Sequence, residues 1–83
     1  MNNWITYLVR CSDGSLYCGA TNNIENRVAT HNSGKGSRYT RSRLPVTLLL
    51  TSKLLPKWDA LKLECAVKKQ KTNEKLDYLK LFS

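Results

Sequence analysis

Glu64 is a carboxylate in apolar company. On a helical wheel of residues 56–71, at about 100° per residue, Leu63, Val67, Ala60, Leu61, Cys65 and Trp58 fill an apolar arc of roughly 220°, with Glu64 near its middle. Lys62, Lys69, Ala66, Asp59 and Gln70 form the opposite, mostly polar face. A carboxylate drawn into an apolar face costs several kcal/mol unless a cation or hydrogen-bond donors meet it. Lys68, one turn on, can do so, but a helical Glu–Lys pair is worth only about 0.3 to 0.5 kcal/mol, too little to offset real burial. Snorkelling of the side chain to the rim would evade the cost. The wheel leaves these readings open and requires that some partner reach Glu64.

A second pair lies on the first predicted helix, where Ile24, Arg27, Val28 and His31 share a face and Arg27 and His31 stand one turn apart. A lone histidine is usually structural. Here a guanidinium able to bridge phosphate oxygens and an imidazole titrating near neutrality are expected to project together. The segment that follows carries Lys35, Arg38, Tyr39, Arg41 and Arg43. It reads as a basic rim against a phosphate backbone, with Tyr39 free to stack or hydrogen-bond, or else as a solvated charged loop. Gly34-Lys35-Gly36-Ser37 is not a nucleotide phosphate loop: the glycine required five residues earlier is Ala29, and Gly36 stands where Ser or Thr should follow the lysine.

Fourteen Lys and Arg against six Asp and Glu give 83 residues a net charge of +8. Polyanions are the natural partners. Nucleic acid is favoured over an acidic membrane because no basic amphipathic helix with exposed Trp or Phe stands out, and ribosome-associated binding explains the charge equally well. No apolar run reaches the 18 residues or so that a membrane span needs. Cys11, Cys18 and Cys65 are odd in number and scattered, which fits reduced thiols, and their spacing with His31 does not suit zinc. A single domain over residues 1–83, cytoplasmic and without a leader, is the expectation.

The elements that must position these groups follow from the pattern. Residues 4–10 and the run from Leu16 towards Thr21 are rich in β-branched and aromatic residues, and Ser12-Asp13-Gly14 supplies turn chemistry, which predicts a β-hairpin. Asn22 or Asn23 can cap a helix running to about Asn32 and stopping before Ser33-Gly34. Residues 33–43 form a basic loop with room for one helical turn, residues 46–51 a third strand, and Pro56 opens the long helix. Thr72 or Asn73 is expected to cap a last short helix. The order ββαβαα predicts an α+β domain with a small, largely antiparallel three-stranded sheet.

Taken in order, Thr6-Tyr7-Leu8, Tyr17-Cys18-Gly19, Arg27 and the distant Glu64 resemble the GIY-YIG nucleases. The resemblance covers nearly the whole chain. It is nearest to the small stand-alone bacterial proteins of that family, through His31-Asn32-Ser33-Gly34-Lys35-Gly36 followed by Tyr39-Thr40-Arg41. The first triplet keeps only its tyrosine, Cys18 occupies the centre of the second, and Asn73 is an unanchored match for the family's late asparagine.

The resemblance implies a GIY-YIG endonuclease-like fold and divalent-metal-dependent hydrolysis of phosphodiester bonds in DNA, whether branched, damaged or single-stranded, with RNA left open. Tyr7 and Tyr17 would stand on paired strands, Arg27 on the first helix, and Glu64 would hold one Mg²⁺ or Mn²⁺ ion. The proton acceptor has two candidates. Resemblance favours Tyr17, although a free tyrosine, with a pKa of about 10, needs about 4 kcal/mol to reach its phenolate at pH 7. His31 is favoured by availability. The alternative is a nucleic-acid-binding module on a nuclease scaffold, cleaving weakly or only with a partner protein that supplies specificity.

Overall fold

The computed structural model describes residues 2–83. Its elements are β1 (Ile5–Arg10), β2 (Leu16–Thr21), α1 (Ile24–Asn32), α2 (Arg38–Arg41), β3 (Thr47–Thr51), α3 (Lys57–Lys68) and α4 (Thr72–Lys80). The fold is α+β, with an antiparallel sheet in the order β2-β1-β3. The predicted hairpin is β1–β2. Its turn closes through Cys11 N–H to Ser15 O at 2.8 Å, with Gly14 at φ 85°, a conformation that only glycine adopts without strain.

Because β1 is the central strand, both of its faces are covered. Ile5, Tyr7 and Val9 join Cys11 and Val46 in one core, against which Ile24 and Val28 of α1 pack. Leu8 faces the other way, into a core with Cys18, Leu63, Val67 and Leu79 that α3 and α4 cover. The alternation of period two thus assigns Tyr7 to the α1 side of the sheet and Leu8 to the α3 side.

Asn23 caps α1, its side chain accepting from Asn26 N–H at 3.1 Å, and Gly34 at φ 83° ends it. Asn32 then clamps the chain entering β3: its Oδ1 accepts from Val46 N–H at 2.7 Å and its Nδ2 donates to Val46 O at 3.1 Å. The basic segment makes one short helical turn, α2.

Two expectations change. Of the apolar arc on α3, Ala60, Leu63 and Val67 are buried, whereas Trp58 is 74% exposed and Cys65 is exposed as well. α3 rests on the sheet along a narrower stripe than the wheel drew, through Ala60, Leu63 and Val67. α4 begins after Lys71 without a side-chain cap, so Thr72 lies inside the helix.

Thr6 ties the two layers together. Fully buried on the α3 side, its Oγ1 donates to Ala60 O at 2.7 Å, and its backbone N–H donates to Ser52 Oγ at 3.0 Å. Ala60 O is the carbonyl that the Glu64 N–H addresses in α-helical geometry, so Thr6 anchors α3 one turn before Glu64. Thr6→Val keeps the shape and removes the donor. It should cost about 1 kcal/mol in denaturant unfolding, the usual net value of one buried hydrogen bond; an unchanged midpoint would show that packing alone holds α3.

Candidate active site

The hairpin register aligns the two tyrosines. Tyr7 pairs with Gly19 and Val9 with Tyr17, so Tyr7 and Tyr17 share the α1 face of the sheet. A Cβ at position 19 would lie 2.6 Å from Tyr7 Cζ and would also strike the hydroxyl. Tyr7 therefore lies across β2 at the one place where the neighbouring strand carries no side chain.

From there Tyr7 Oη reaches His31 Nε2 at 3.0 Å, and His31 Nδ1 reaches Thr40 Oγ1 at 2.9 Å. His31 ends α1, Thr40 sits in α2, and all three groups are buried. Gly36 closes the cradle, since a Cβ there would stand 2.9 Å from His31 Cα and would strike Nδ1. Arg27 and His31 do not project together: His31 is 1% exposed and turned into the core, while Arg27, one turn earlier, is exposed and makes no ion pair among the described residues. His31 follows Ile24 and Val28 inward, onto the sheet.

Tyr17 is half-buried and central. Its ring meets His31 edge-on with centroids 5.4 Å apart and stacks on Tyr39 at 5.9 Å with 26° between planes. The Arg43 guanidinium lies 4.1 Å above the Tyr39 ring. Lys68 Nζ stands 5.6 Å from the Tyr17 ring and 2.7 Å from Glu64 Oε2. Glu64 is thus met by Lys68, and its side chain retains 20% exposure.

The basic segment divides in two. Lys35, Arg38 and Arg41 stand exposed, without ion pairs among the described residues. Arg43, expected among the free cations, is instead a strut: its Nε donates to Asp13 Oδ2 at 3.0 Å and its Nη1 to Tyr39 O at 2.7 Å, fastening the hairpin turn to α2. Tyr39 is likewise engaged rather than free, held between Arg43 and Tyr17 while remaining 38% exposed.

The electrostatics separate these groups by burial. Desolvation pushes the Tyr7 phenol well above its ordinary value; Arg27 opposes this, and Tyr17 and Glu64 add to it. Desolvation lowers His31, and the Arg27 charge lowers it further, so the imidazole is neutral at pH 7. The hydrogen bond to Glu64 is the main reason that Lys68 is raised, and holds it firmly charged. Burial drives the Cys18 thiol up to about 12, which makes it a packing residue and no nucleophile.

Four residues of this arrangement escaped the sequence reading. Gly19 and Gly36 lay inside the motif runs, but their role as space for Tyr7 and His31 needs the register. Thr40 carries no periodic signal, and the Asn32 clamp joins groups 14 residues apart.

A profile of the GIY-YIG catalytic domain matches residues 3–77. The UPF0213 protein of Nitratidesulfovibrio vulgaris is 48% identical over 73 residues, 88% of this chain and 66% of its own length. UPF0213 protein YsiG of Lactococcus lactis is 53% identical over 64 residues, 77% of this chain and 62% of its own length. This chain therefore matches just under two thirds of each of these relatives. The solution structure of protein EF2693 from E. faecalis aligns with a TM-score of 0.63 at 40% identity, covering 99% of this chain and 91% of that one.

Acid should test the burial of His31. Its folded value is depressed below the ordinary 6.5, so the stability it confers is fully present above about pH 6.5 and is lost as pH falls through the folded value. Thermal melting of the wild type should decline more steeply below that pH than melting of His31→Gln; parallel curves would mean that His31 is as well solvated in the fold as out of it.

Proposed function

This chain belongs to the GIY-YIG catalytic domain family, and on that premise we propose that it is a divalent-metal-dependent endonuclease hydrolysing phosphodiester bonds in DNA. One observation carries the reading. The Tyr7 hydroxyl is hydrogen-bonded to neutral His31 and feels the charges of both Arg27 and Glu64, which supports a proton acceptor, a cation and a carboxylate sharing one neighbourhood.

The residues suit a hard cation. No group of three or more His, Cys, Asp and Glu gathers among the described residues, and Glu64 is the single carboxylate facing this site. One carboxylate, waters and a substrate phosphate are an ordinary Mg²⁺ arrangement, and Mn²⁺ accepts the same donors. Glu64 would hold the ion once Lys68 swings away. When bound, the ion polarises the phosphate and stabilises the departing oxygen.

The chain's own groups do the rest. Arg27 is free to bridge the non-bridging phosphate oxygens. In this reading the attacking water would enter beside Tyr7, whose hydroxyl is buried in the free protein, and give its proton to Tyr7 Oη as Tyr7 passes its own to His31 Nε2. An oxygen–phosphorus bond forms, the bond to the leaving sugar oxygen breaks, and that oxygen takes a proton from solvent. Transfer through Tyr7 to His31 avoids a free phenolate, which burial makes costly. Tyr17 has no such acceptor behind it; its stack with Tyr39 instead offers the substrate an aromatic wall. Lys35, Arg38 and Arg41 follow the backbone of DNA, RNA being the other polyanion that suits them, and a partner protein would supply specificity.

The second reading, a binding module that cleaves weakly or with a partner, draws on the 2.7 Å contact by which Lys68 already occupies Glu64. Metal titration separates the two. Glu64→Gln should abolish Mn²⁺ binding and cleavage while leaving the metal-free melting free energy within about 0.5 kcal/mol, as Lys68 is half exposed. Lys68→Met should tighten Mn²⁺ by about 2- to 5-fold by removing the competitor. Wild-type Mn²⁺ affinity in Glu64→Gln would end the metal-site reading.

Binding should weaken steeply with salt. Arg38→Ala with Arg41→Ala should flatten the log–log salt slope by close to two, about 0.9 for each phosphate no longer neutralised. An unchanged slope in fluorescence anisotropy would move the nucleic-acid track elsewhere on the molecule.

A further inference from the structure

We infer that Thr40 is a positioning residue that fixes His31 in the tautomer carrying its proton on Nδ1, leaving Nε2 bare to receive the proton of Tyr7. Thr40 Oγ1 has three polar neighbours: His31 Nδ1 at 2.9 Å, Ser37 Oγ at 3.1 Å and Ser37 O at 3.2 Å. Thr40 Oγ1 donates its single proton to Ser37 O, a carbonyl that also accepts from Arg41 N–H at 3.0 Å, and with the proton so placed Thr40 Oγ1 accepts from Nδ1–H.

The other end of the ring agrees. With Nδ1 protonated, Nε2 accepts from the Tyr7 O–H at 3.0 Å and every buried group is satisfied. In the opposite tautomer Nε2–H would donate to Tyr7 Oη. The Tyr7 proton would then have no acceptor among the described residues, in a side chain that is 1% exposed. A buried donor left without a partner is costly, so Tyr7 favours the same tautomer that Thr40 sets.

The backbone holds Thr40 ready for this task. Ser37 caps α2, its Oγ accepting from Thr40 N–H at 3.2 Å, and Gly36 lets that segment lie against the imidazole. Thr40 touches neither substrate nor metal and acts only through His31. Its catalytic consequence rests on the proposed nuclease reading: without the bare Nε2, Tyr7 has nowhere to send a proton. The tautomer itself does not rest on that reading.

His31 is the only histidine in the chain, so its ring nitrogens can be read without assignment ambiguity. The experiment records ¹⁵N shifts of the imidazole in metal-free, substrate-free protein, at a pH well above the ordinary 6.5. Wild type should show Nδ1 protonated and Nε2 bare. Thr40→Val, which keeps the shape and removes the acceptor, should lose that preference, while Thr40→Ser should restore it. Should the valine variant fail to fold, Thr40→Cys, a weaker acceptor of similar size, should give a mixed population.

Cleavage, where present, should fall roughly 10- to 100-fold in Thr40→Val and recover in Thr40→Ser, the range typical for loss of a partner that orients a histidine. A wild-type imidazole protonated on Nε2, or an unchanged tautomer in both Thr40→Val and Thr40→Cys, would overturn the inference. If the tautomer behaves as expected in a protein that cleaves nothing, the nuclease reading fails and the role of Thr40 stands.

Discussion

Three buried groups in line, the Tyr7 hydroxyl, the His31 imidazole and the Thr40 hydroxyl, join the central strand to α1 and α1 to the basic segment. Neither Tyr7 nor His31 could be buried alone without the cost of an unsatisfied polar group, so each requires its neighbour in the line. Gly19 and Gly36 are consequences of this line, because the tyrosine and the imidazole lie where side chains would otherwise stand. The Asn32 clamp and the Arg43 strut then fix the two ends of the segment that carries Thr40. What reaches the surface, Arg27, Tyr17 and Tyr39, is arranged around this interior, with Arg43 and the Tyr17 stack holding Tyr39.

On the other side of the sheet the constraint is electrostatic. Glu64 is held by a helix that Thr6 pins to β1, and Lys68 supplies the cation that the partly buried carboxylate needs. The pair is sound as structure, and the same oxygen is what a divalent ion would use. Lys68 also faces the Tyr17 ring, so leaving Glu64 does not strand it in apolar surroundings. In the proposed reading stability and metal binding would draw on one carboxylate, with the lysine as the movable part.

The elements were legible because their signals are local. β-branched and aromatic runs around Ser12-Asp13-Gly14 gave the hairpin, Asn22 or Asn23 and Ser33-Gly34 the limits of α1, of which Asn23 is the cap, and Pro56 the start of α3. The narrow contact of α3 was not, since Trp58 and Cys65 are apolar by type and their exposure depends on how much sheet lies beneath. Glu64 could be singled out by polarity out of place, and the two tyrosines through the family resemblance. The inward turn of His31, away from Arg27, could not: both lie on one helical face, and only the packing partners, Tyr7 and Thr40, separate them. Arg43 looked like its basic neighbours because the Asp13 it pairs with is 30 residues away in sequence.

The most direct measurement is single-turnover cleavage of branched, single-stranded and plasmid DNA by the wild type and by Tyr7→Phe, with Mg²⁺ or Mn²⁺ and with a chelator. The phenylalanine keeps the ring over Gly19 and removes only the hydroxyl that links water to His31. Cleavage should require the metal and should fall at least about 100-fold in Tyr7→Phe, the lower range for loss of a general acid–base group, with DNA and metal affinity retained. Metal-dependent cleavage at the wild-type rate in Tyr7→Phe would contradict the proton path through Tyr7 and His31.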